Sequence, residues 1–384
     1  MPPQPVAAPV SAPVEPGPAL TGPERARYAR QLALPGFGET AQRRLRAARV
    51  AVVGAGGLGS PVISYLAAAG VGALVVVDDD VVEASNLQRQ VLHGVEDLGR
   101  AKADSAARAV HRLDPGVVVE PVRERLTDAN ADRLLAGCDL VVDGADNFAT
   151  RYAVADACAR LGLPEVFGSV LRFDAQVGVF WPGRGATYRD VFPAPPPAGS
   201  VASCAEAGVL GALCGVVGSV MAVEAVKVLT GTGRPLVDRL LVLDALTMSW
   251  RAVRVRAAQE GAAPAPAPAP APEPEEPLPA DAVVAPRELA RLLAAGEVLL
   301  VDVRTPAERE LAALPGAVPV PLAQVLDGTA DLPRDRPVVL HCRSGARSEL
   351  AVRALRARGR ADAAHLDGGL LAWAAQVDPS LPVA

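Results

Sequence analysis

A Val-rich stretch that runs directly into closely spaced glycines places the strongest constraint on how this chain can fold. Residues 49–59 read RVAVVGAGGLG, and a second apolar run that ends in three aspartates, VVVDDD, follows at 75–80. A buried strand that ends in such glycines makes a tight turn whose backbone amides can meet a phosphate at a helix N-terminus. Asp78, at the end of the second strand, is placed to accept hydrogen bonds from a ribose. The pattern predicts a nucleotide-binding βαβ unit, and alone it fits NAD, FAD or SAM as well as ATP.

Apolar runs of strand length alternate with helical patterns well beyond this unit. The predicted strands are 49–53, 73–78, 117–122 and 139–143, and the predicted helices are 58–69, 102–113, 129–135 and 150–161. Strands that alternate with helices predict a parallel sheet covered on both faces, with ligand bound at the carboxyl ends of the strands. Because the chain is 50% hydrophobic but only 3% aromatic, its cores must be built from Ala, Val and Leu.

Charged and amide side chains near these strand ends narrow the choice of ligand. Arg89, Lys102 and the neighbouring Asp146 and Asn147 supply more phosphate and metal chemistry than a nicotinamide site requires. Together with the glycine turn, they favour ATP over a dinucleotide.

Seven ordered motifs within residues 21–256 resemble those of the MoeB/ThiF family of ATP-dependent activating enzymes. The motifs are YARQLAL at 28–34, GAGGLG at 54–59, AGVGALVVVDDD at 69–80, SNLQRQ at 85–90, GRAK at 99–102, DGADN at 143–147 and SCAEAGVLG at 203–211. The resemblance implies an α/β fold, namely a Rossmann-like ATP-binding activating-enzyme domain with a mixed sheet.

The resemblance also implies which residues hold the nucleotide. The implied positions are Arg30, Gly54, Gly56, Gly57, Gly59, Asp78, Ser85, Asn86, Leu87, Gln88, Arg89, Lys102, Asp146 and Asn147. Asn86, Arg89 and Lys102 would hold the phosphates. Asp146 would hold a magnesium ion, and Arg30 would reach across a homodimer interface to the phosphates of the neighbouring subunit.

A second, smaller α/β pattern occupies residues 283–384. Predicted strands at 298–304 and 337–342 are followed by the loop CRSGARS and a predicted helix at 348–358. The segment resembles a rhodanese domain, on DVRTPAE at 302–308, PGAVPVPL at 315–322 and LDGGLLAW at 366–373. Alternating Ala and Pro predict an extended linker over 257–282, and a Pro-rich composition predicts a disordered tail over 1–20.

Cys342 is the predicted nucleophile of this second domain. It ends a strand and faces a helix N-terminus with two arginines close by, and each of these features stabilises a thiolate. The predicted persulfide loop consists of Arg343, Ser344, Gly345, Ala346 and Arg347. A cysteine phosphatase is the rival interpretation, but its loop has five residues between Cys and Arg where this chain has four. The smaller loop favours a sulfur atom over a phosphoryl group, and His341 is interpreted as a strand residue.

The remaining cysteines bear on compartment and metal content. Five cysteines without a C-x-x-C pair argue against a disulfide framework and a structural zinc, and they favour the reducing cytoplasm. Cys204 aligns with the second reactive cysteine of the MoeB/ThiF family, whereas Cys138, Cys158 and Cys214 lie in apolar patterns typical of a core. The family's usual zinc-binding pairs are missing, a departure that resembles the MoeZ-type adenylyltransferase/sulfurtransferases.

These observations predict a two-step enzyme. ATP and Mg²⁺ would adenylylate the C-terminal glycine of a ubiquitin-like sulfur carrier that ends in Gly-Gly, with Arg89, Lys102 and Asp146 as catalytic residues. A persulfide on Cys342, charged by thiosulfate or a cysteine desulfurase, would then give a thiocarboxylate with help from Cys204. A nicotinamide-dependent oxidoreductase with an appended sulfurtransferase domain and a non-catalytic carrier-binding scaffold remain alternatives, and the pathway stays open.

Charge and hydropathy argue against two other classes of partner. A net charge of −5 and a pI near 5.6 argue against nucleic acid. The apolar segment 207–229 is long enough to span a membrane, but Glu224 and Lys227 interrupt it, so a buried core helix is the favoured interpretation.

Overall fold

The computed structural model describes residues 11–196, 208–257 and 278–382, which belong to two compact units divided near residue 268. Cys204, residues 1–10 of the predicted tail and residues 258–277 of the predicted linker lie outside the described residues.

The first unit is built on an eight-stranded mixed sheet. Its strands are β1 (Arg49–Val53), β2 (Ala73–Val77), β3 (Val118–Val122), β4 (Leu140–Asp143), β5 (Glu165–Leu171), β6 (Asp174–Phe180), β7 (Arg239–Asp244) and β8 (Ser249–Arg254). Its helices are α1 (Gly22–Arg27), α2 (Ala29–Leu32), α3 (Gly38–Ala47), α4 (Gly59–Ala68), α5 (Lys102–Leu113), α6 (Ala131–Leu135), α7 (Phe148–Leu161), α8 (Tyr188–Val191) and α9 (Gly211–Thr230). The strand order is β3-β2-β1-β4-β5-β6-β7-β8.

The first five strands in that order are parallel, and β6, β7 and β8 extend the sheet in antiparallel fashion. The predicted Rossmann-like arrangement and the mixed sheet implied by the resemblance are therefore confirmed. The order reverses between β1 and β4, which is the switch point where a sheet of this kind binds its ligand.

The predicted βα alternation matches the elements to within two residues at each boundary, and the shift at the start of α7 has a local cause. Helix α7 begins at Phe148 rather than Thr150 because the Asn147 side chain caps it, accepting from the Thr150 amide at 2.9 Å. Strands β5 to β8 are absent from the predicted strands. No helix lies in the short described segments between β5 and β6 or between β7 and β8, so the strand–helix alternation used for the first half does not identify these two pairs.

Residues 11–20 correct the prediction of a disordered tail. Val14 and Leu20 are buried, and Val14 belongs to the main hydrophobic core. Gly17 donates its amide to the Arg43 carbonyl at 3.2 Å and accepts from Arg43 Nε at 2.7 Å. The Pro-rich segment is ordered here because the side chains of Val14 and Leu20 are buried and Arg43 of α3 hydrogen-bonds to the backbone of Gly17.

Helix α9 is the predicted core helix at 207–229. By length and composition it is, among the described residues, the one helix that could cross a membrane, and 56% of its most apolar window is buried inside the unit. Its charged residues have partners: Glu224 Oε2 accepts from the Leu236 amide at 2.9 Å, and Glu224 Oε1 pairs with Lys227 Nζ at 2.5 Å. The helix packs on α4, β5 and β6 as part of the core.

The second unit contains a five-stranded parallel sheet. Its strands are β9 (Val283–Val284), β10 (Leu299–Asp302), β11 (Val318–Pro319), β12 (Val338–His341) and β13 (Ala363–Leu366), in the order β11-β10-β12-β13-β9. Its helices are α10 (Pro286–Ala294), α11 (Pro306–Leu311), α12 (Leu322–Asp327), α13 (Ala346–Ala357) and α14 (Gly369–Gln376). Residues 278–282, assigned to the linker from sequence, pack with this unit, because Ala282 is fully buried and Leu278 contacts the same core.

Candidate nucleotide cleft and thiol loop

An open cleft lies in the first unit at the carboxyl ends of β1, β2 and β4. The sequence-predicted residues that line it are Gly54, Gly56, Gly57, Asp78, Arg89, Lys102, Asp146 and Asn147. It is also lined by residues that the sequence did not single out, among them Asp79, Asp80, Gln90, Arg125, Thr150, Arg151 and Cys214. Glycines, cationic side chains and carboxylates therefore converge at the switch point of the sheet.

Backbone atoms pack against the glycine turn so closely that Gly54 and Gly59 have no room for a side chain. Gly54 has φ +89°, and a side chain there would approach the Gly144 carbonyl oxygen to 3.0 Å. At Gly59 a Cβ atom would lie 1.8 Å from the Gly54 oxygen. Gly59 thus supports the turn from beneath, while Gly56 and Gly57 line the cleft. Only glycine fits at these two contacts.

Ala55, between the first two glycines, has both its backbone N–H and its carbonyl hydrogen-bonded to side chains. Its amide donates to Asp78 Oδ2 at 2.8 Å, and its carbonyl accepts from His93 Nε2 at 2.9 Å. A carbonyl can only accept, so Nε2 carries the proton. Burial lowers the pKa of His93 and keeps it neutral, so Nδ1 accepts from Ser105 Oγ at 2.8 Å. Sequence analysis missed His93, whose only signal was a histidine beside an apolar run.

Asp78 is tied into the turn as well as open to the cleft. Its Oδ1 accepts from the Asp80 amide at 2.9 Å, and burial raises the pKa of its carboxyl group. Each carboxylate oxygen keeps a lone pair beyond these amide bonds, so the group can still accept from a ribose hydroxyl.

The two predicted phosphate-binding cations, Lys102 and Arg89, are held by different parts of the chain. Lys102 is nearly buried at the start of α5, and its Nζ lies 2.9 Å from Asp80 Oδ2. Arg89 donates through Nη1 to the Ser85 carbonyl at 3.1 Å. Both cations line the cleft, and their present partners leave the remaining N–H groups available for phosphate oxygens.

Several predicted nucleotide contacts lie outside the cleft wall. Ser85, Asn86, Leu87 and Gln88 form the turn behind Arg89, where the Asn86 side chain accepts from the Glu83 amide at 3.4 Å. Arg30 is exposed on α2 and does not line the cleft of its own chain. The predicted contact from Arg30 would therefore have to come from a second subunit.

Asp146 and Asn147 follow β4 and are exposed at the cleft. Among the residues that the structure describes, no group of three His, Cys, Asp or Glu side chains could hold a metal ion. Magnesium is commonly bound by one or two carboxylates together with substrate phosphates. A solitary, open carboxylate at a phosphate site fits that mode of binding, and the zinc-free fold stays a prediction.

In the second unit, Cys342 lies directly after β12 and is 1% exposed. The Gly345 amide donates to Cys342 Sγ at 3.2 Å, and Ser348 Oγ lies 3.6 Å from the same sulfur. Helix α13 begins at Ala346, so its N-terminal end also faces the thiol. Donors that converge on sulfur stabilise an anion there. Ser348, which sequence analysis did not name, has a single hydroxyl proton, and its 2.9 Å bond to the Gly345 carbonyl competes with the contact to sulfur.

Arg347, a member of the predicted persulfide loop, has a carboxylate partner that the sequence did not indicate. Its guanidinium forms a two-point ion pair with Glu308, Nη2 to Oε1 at 2.6 Å and Nη1 to Oε2 at 3.0 Å. Although burial acts in the opposite direction, the hydrogen bonds from Arg347 and Thr305 lower the pKa of Glu308 to about 2. Arg347 therefore pairs with a carboxylate as well as belonging to the loop after Cys342, and sequence analysis did not name that partner.

His341 is a buried strand residue, as predicted. It lies in β12 with no exposed surface, and burial lowers its pKa to about 4. The nearby Asp302 carboxylate is paired with Arg304 at 2.7 Å. His341 is therefore neutral at physiological pH.

Known proteins match both units. A model of the ThiF family matches residues 28–264, and a model of the Rhodanese-like domain matches residues 285–376. The chain is 46% identical to the probable adenylyltransferase/sulfurtransferase MoeZ of Mycobacterium tuberculosis, across 96% of this chain and 97% of that protein. It is 41% identical to the adenylyltransferase and sulfurtransferase MOCS3 of Bos taurus, across 97% of this chain and 90% of that protein. The crystal structure of E. coli MccB with ATP has a TM-score of 0.53 at 22% identity, over 61% of this chain and 72% of that one, a likeness of fold.

Proposed function

This chain belongs to the ThiF family and carries a rhodanese-like domain, and from that premise we propose that it converts the C-terminal glycine of a ubiquitin-like sulfur carrier to a thiocarboxylate. Relatives that align over almost the whole chain carry both activities in their names, so the chain is an adenylyltransferase and sulfurtransferase. The observation that carries the proposal is the convergence of Arg89, Lys102 and Asp146 on the glycine-lined cleft. A nicotinamide site would need none of these three.

In the first step, the carrier's terminal carboxylate attacks the α-phosphorus of ATP and expels pyrophosphate, which leaves an acyl adenylate. The protein positions the reactants and neutralises charge. Lys102 and Arg89 would hold the phosphates, the Gly56 and Gly57 amides would line the same cleft, and Asp78 would orient the ribose. A magnesium ion on Asp146 and the phosphates would supply further charge neutralisation.

In the second step, sulfur is delivered from the second unit. A sulfur donor first charges Cys342 as a persulfide, which the Gly345 amide and the α13 N-terminus would stabilise. The persulfide attacks the acyl carbonyl and releases AMP, giving an acyl disulfide. The Cys204 thiolate would then attack Cys342 sulfur, which frees the thiocarboxylate and leaves a Cys204–Cys342 disulfide for a cellular thiol to reduce.

A homodimer would bring Arg30 to a nucleotide. Exposed apolar side chains of Leu34, Tyr65 and Val223 line a groove formed by α2, α4 and α9. Arg30 lies on α2 beside this groove, so a second copy docked there would receive its guanidinium. Val223→Asp should shift the protein from dimer to monomer in analytical ultracentrifugation. We place the reaction in the cytoplasm, because five cysteines without a C-x-x-C pair favour a reducing compartment.

Mass spectrometry of candidate carriers tests the function directly. The full chain is incubated with ATP, magnesium, thiosulfate and a carrier ending in Gly-Gly, and conversion replaces one carrier oxygen with sulfur. Asp146→Ala should abolish both carrier-dependent ATP–pyrophosphate exchange and the mass gain, while thiosulfate sulfurtransferase activity at Cys342 continues. Normal exchange by this variant would show that the magnesium site lies elsewhere.

A further inference from the structure

Ala145, the residue before Asp146, has both its backbone N–H and its carbonyl hydrogen-bonded to buried side chains. Asp143 Oδ1 accepts from the Ala145 amide at 2.9 Å. Arg151 donates to the Ala145 carbonyl through two nitrogens, Nε at 3.0 Å and Nη2 at 2.9 Å. Asp143 is fully buried and Arg151 is 8% exposed. The backbone on the approach to Asp146 is thus held by two opposite charges shielded from water.

Arg151 also contacts a serine on β5 and two aromatic rings. Its Nη1 donates to Ser169 Oγ on β5 at 3.1 Å, and its guanidinium lies 5.8 Å and 5.4 Å from the ring centres of Phe148 and Phe167. A planar cation with a fork of donors can make all these contacts at once, whereas a lysine ammonium cannot. Arg151 therefore ties the start of α7 and strand β5 to the loop that carries Asp146.

We propose that Arg151 is a positioning residue that fixes the direction of the Asp146 carboxylate towards the metal and phosphates. This proposal rests on the proposed function, because it requires a metal-bound nucleotide in the cleft. Arg151 acts through the Ala145 carbonyl, one residue before Asp146, and not through the nucleotide. Outer residues that orient a metal ligand typically contribute about 10–100-fold in metal affinity.

Arg151→Lys keeps the charge and removes the fork, so it is the informative substitution. Arg160→Lys is the matched control, because Arg160 lies on the same helix, is exposed and pairs with Asp132 at 2.6 Å away from the cleft. Ser169→Ala is a milder variant that removes only the Nη1 partner and leaves both bonds to Ala145. Arg151→Lys tests the fork at constant charge, Ser169→Ala tests the Nη1 bond alone, and Arg160→Lys tests for general damage to the helix.

Electron paramagnetic resonance measures the affinity of the full chain for Mn²⁺ in the presence of a non-hydrolysable ATP analogue. Fluorescence of an N-methylanthraniloyl-ATP probe without metal measures nucleotide binding by itself. We expect Arg151→Lys to weaken Mn²⁺ binding about 10–100-fold and Ser169→Ala to weaken it less, about threefold. Metal-free probe binding and thiosulfate sulfurtransferase activity should stay within twofold of wild type, and Arg160→Lys should match wild type throughout.

The outcomes distinguish this inference from the proposed function. Absence of metal-dependent nucleotide binding in the wild-type chain would overturn the proposed function. Wild-type metal affinity in Arg151→Lys and Ser169→Ala would overturn the positioning role alone. Equal loss of metal-free probe binding would show instead that Arg151 contacts the nucleotide. If Arg151→Lys melts below assay temperature, Ser169→Ala decides, and an unchanged Mn²⁺ affinity in that variant refutes the proposal.

Discussion

Gly59→Ala should damage the nucleotide cleft from beneath while leaving the second unit intact. The added Cβ would lie 1.8 Å from the Gly54 carbonyl oxygen and 2.8 Å from its carbon. Ordinary contact begins near 3.4 Å, so the turn and the start of α4 must separate by about 1.5 Å. Both partners are backbone, which cannot rotate away as a flexible side chain would. The expected destabilisation of the first unit is about 3 kcal/mol, the upper end for overpacking.

The same displacement should disable the chemistry more than the fold. The moving atoms carry the amides that line the cleft, and a misplacement of about 1 Å can cost roughly 100-fold in rate. Carrier-dependent ATP–pyrophosphate exchange should therefore fall at least about 100-fold. Thiosulfate sulfurtransferase activity serves as an internal control for a folded second unit and should persist.

Gly22→Ala is the matched substitution. Gly22 is exposed at the start of α1, and a Cβ there would meet nothing within 4 Å. Its melting temperature and exchange rate should stay at the wild-type level. Wild-type exchange and thermal stability in Gly59→Ala would refute this reasoning, because the turn would then accommodate a Cβ built 1.8 Å from the Gly54 oxygen without consequence.

Three further outcomes test the second unit and the metal content. Cys342→Ala should keep carrier-dependent pyrophosphate exchange and lose sulfur transfer from thiosulfate; a folded variant that lost both would contradict the division of labour. The pKa of Glu308 is lowered from 4.5 to about 2, so its pairing with Arg347 stabilises the folded state above pH 4.5 and this is lost as pH falls towards 2. Glu308→Gln should therefore lower the free energy of unfolding in urea by about 1–2 kcal/mol at pH 7, after allowance for solvent screening. The difference between variant and wild type should shrink as the pH falls below 4.5 and stay constant above it. Elemental analysis should find far less than one zinc per chain, and a stoichiometric amount would reveal ligands not yet identified.

Local patterns predicted β1 to β4 well because a helix of different period follows each of them. Gly54, Asp78 and Asp146 follow β1, β2 and β4, which are neighbours in the sheet, so their convergence followed from topology alone. His93 and Arg151 escaped prediction because their roles depend on backbone groups 38 and 6 residues away in sequence. The pairing of Arg347 with Glu308 spans 39 residues, so only tertiary structure shows that this arginine has a carboxylate partner. Residues 11–20 were misjudged because Pro content was weighed without Val14 and Leu20.

The depth of Cys342 has a consequence for which molecules can reach its sulfur. With only 1% of the residue exposed, its sulfur is shielded from bulky reagents by its own loop. Abundant small thiols such as glutathione carry side chains and charges that must be accommodated before they can discharge a persulfide. A chain end of two glycines is the slimmest group that a protein can present. We therefore expect this loop to act as a size filter that reserves its sulfur for narrow peptide ends and wastes little of it on the surrounding thiol pool.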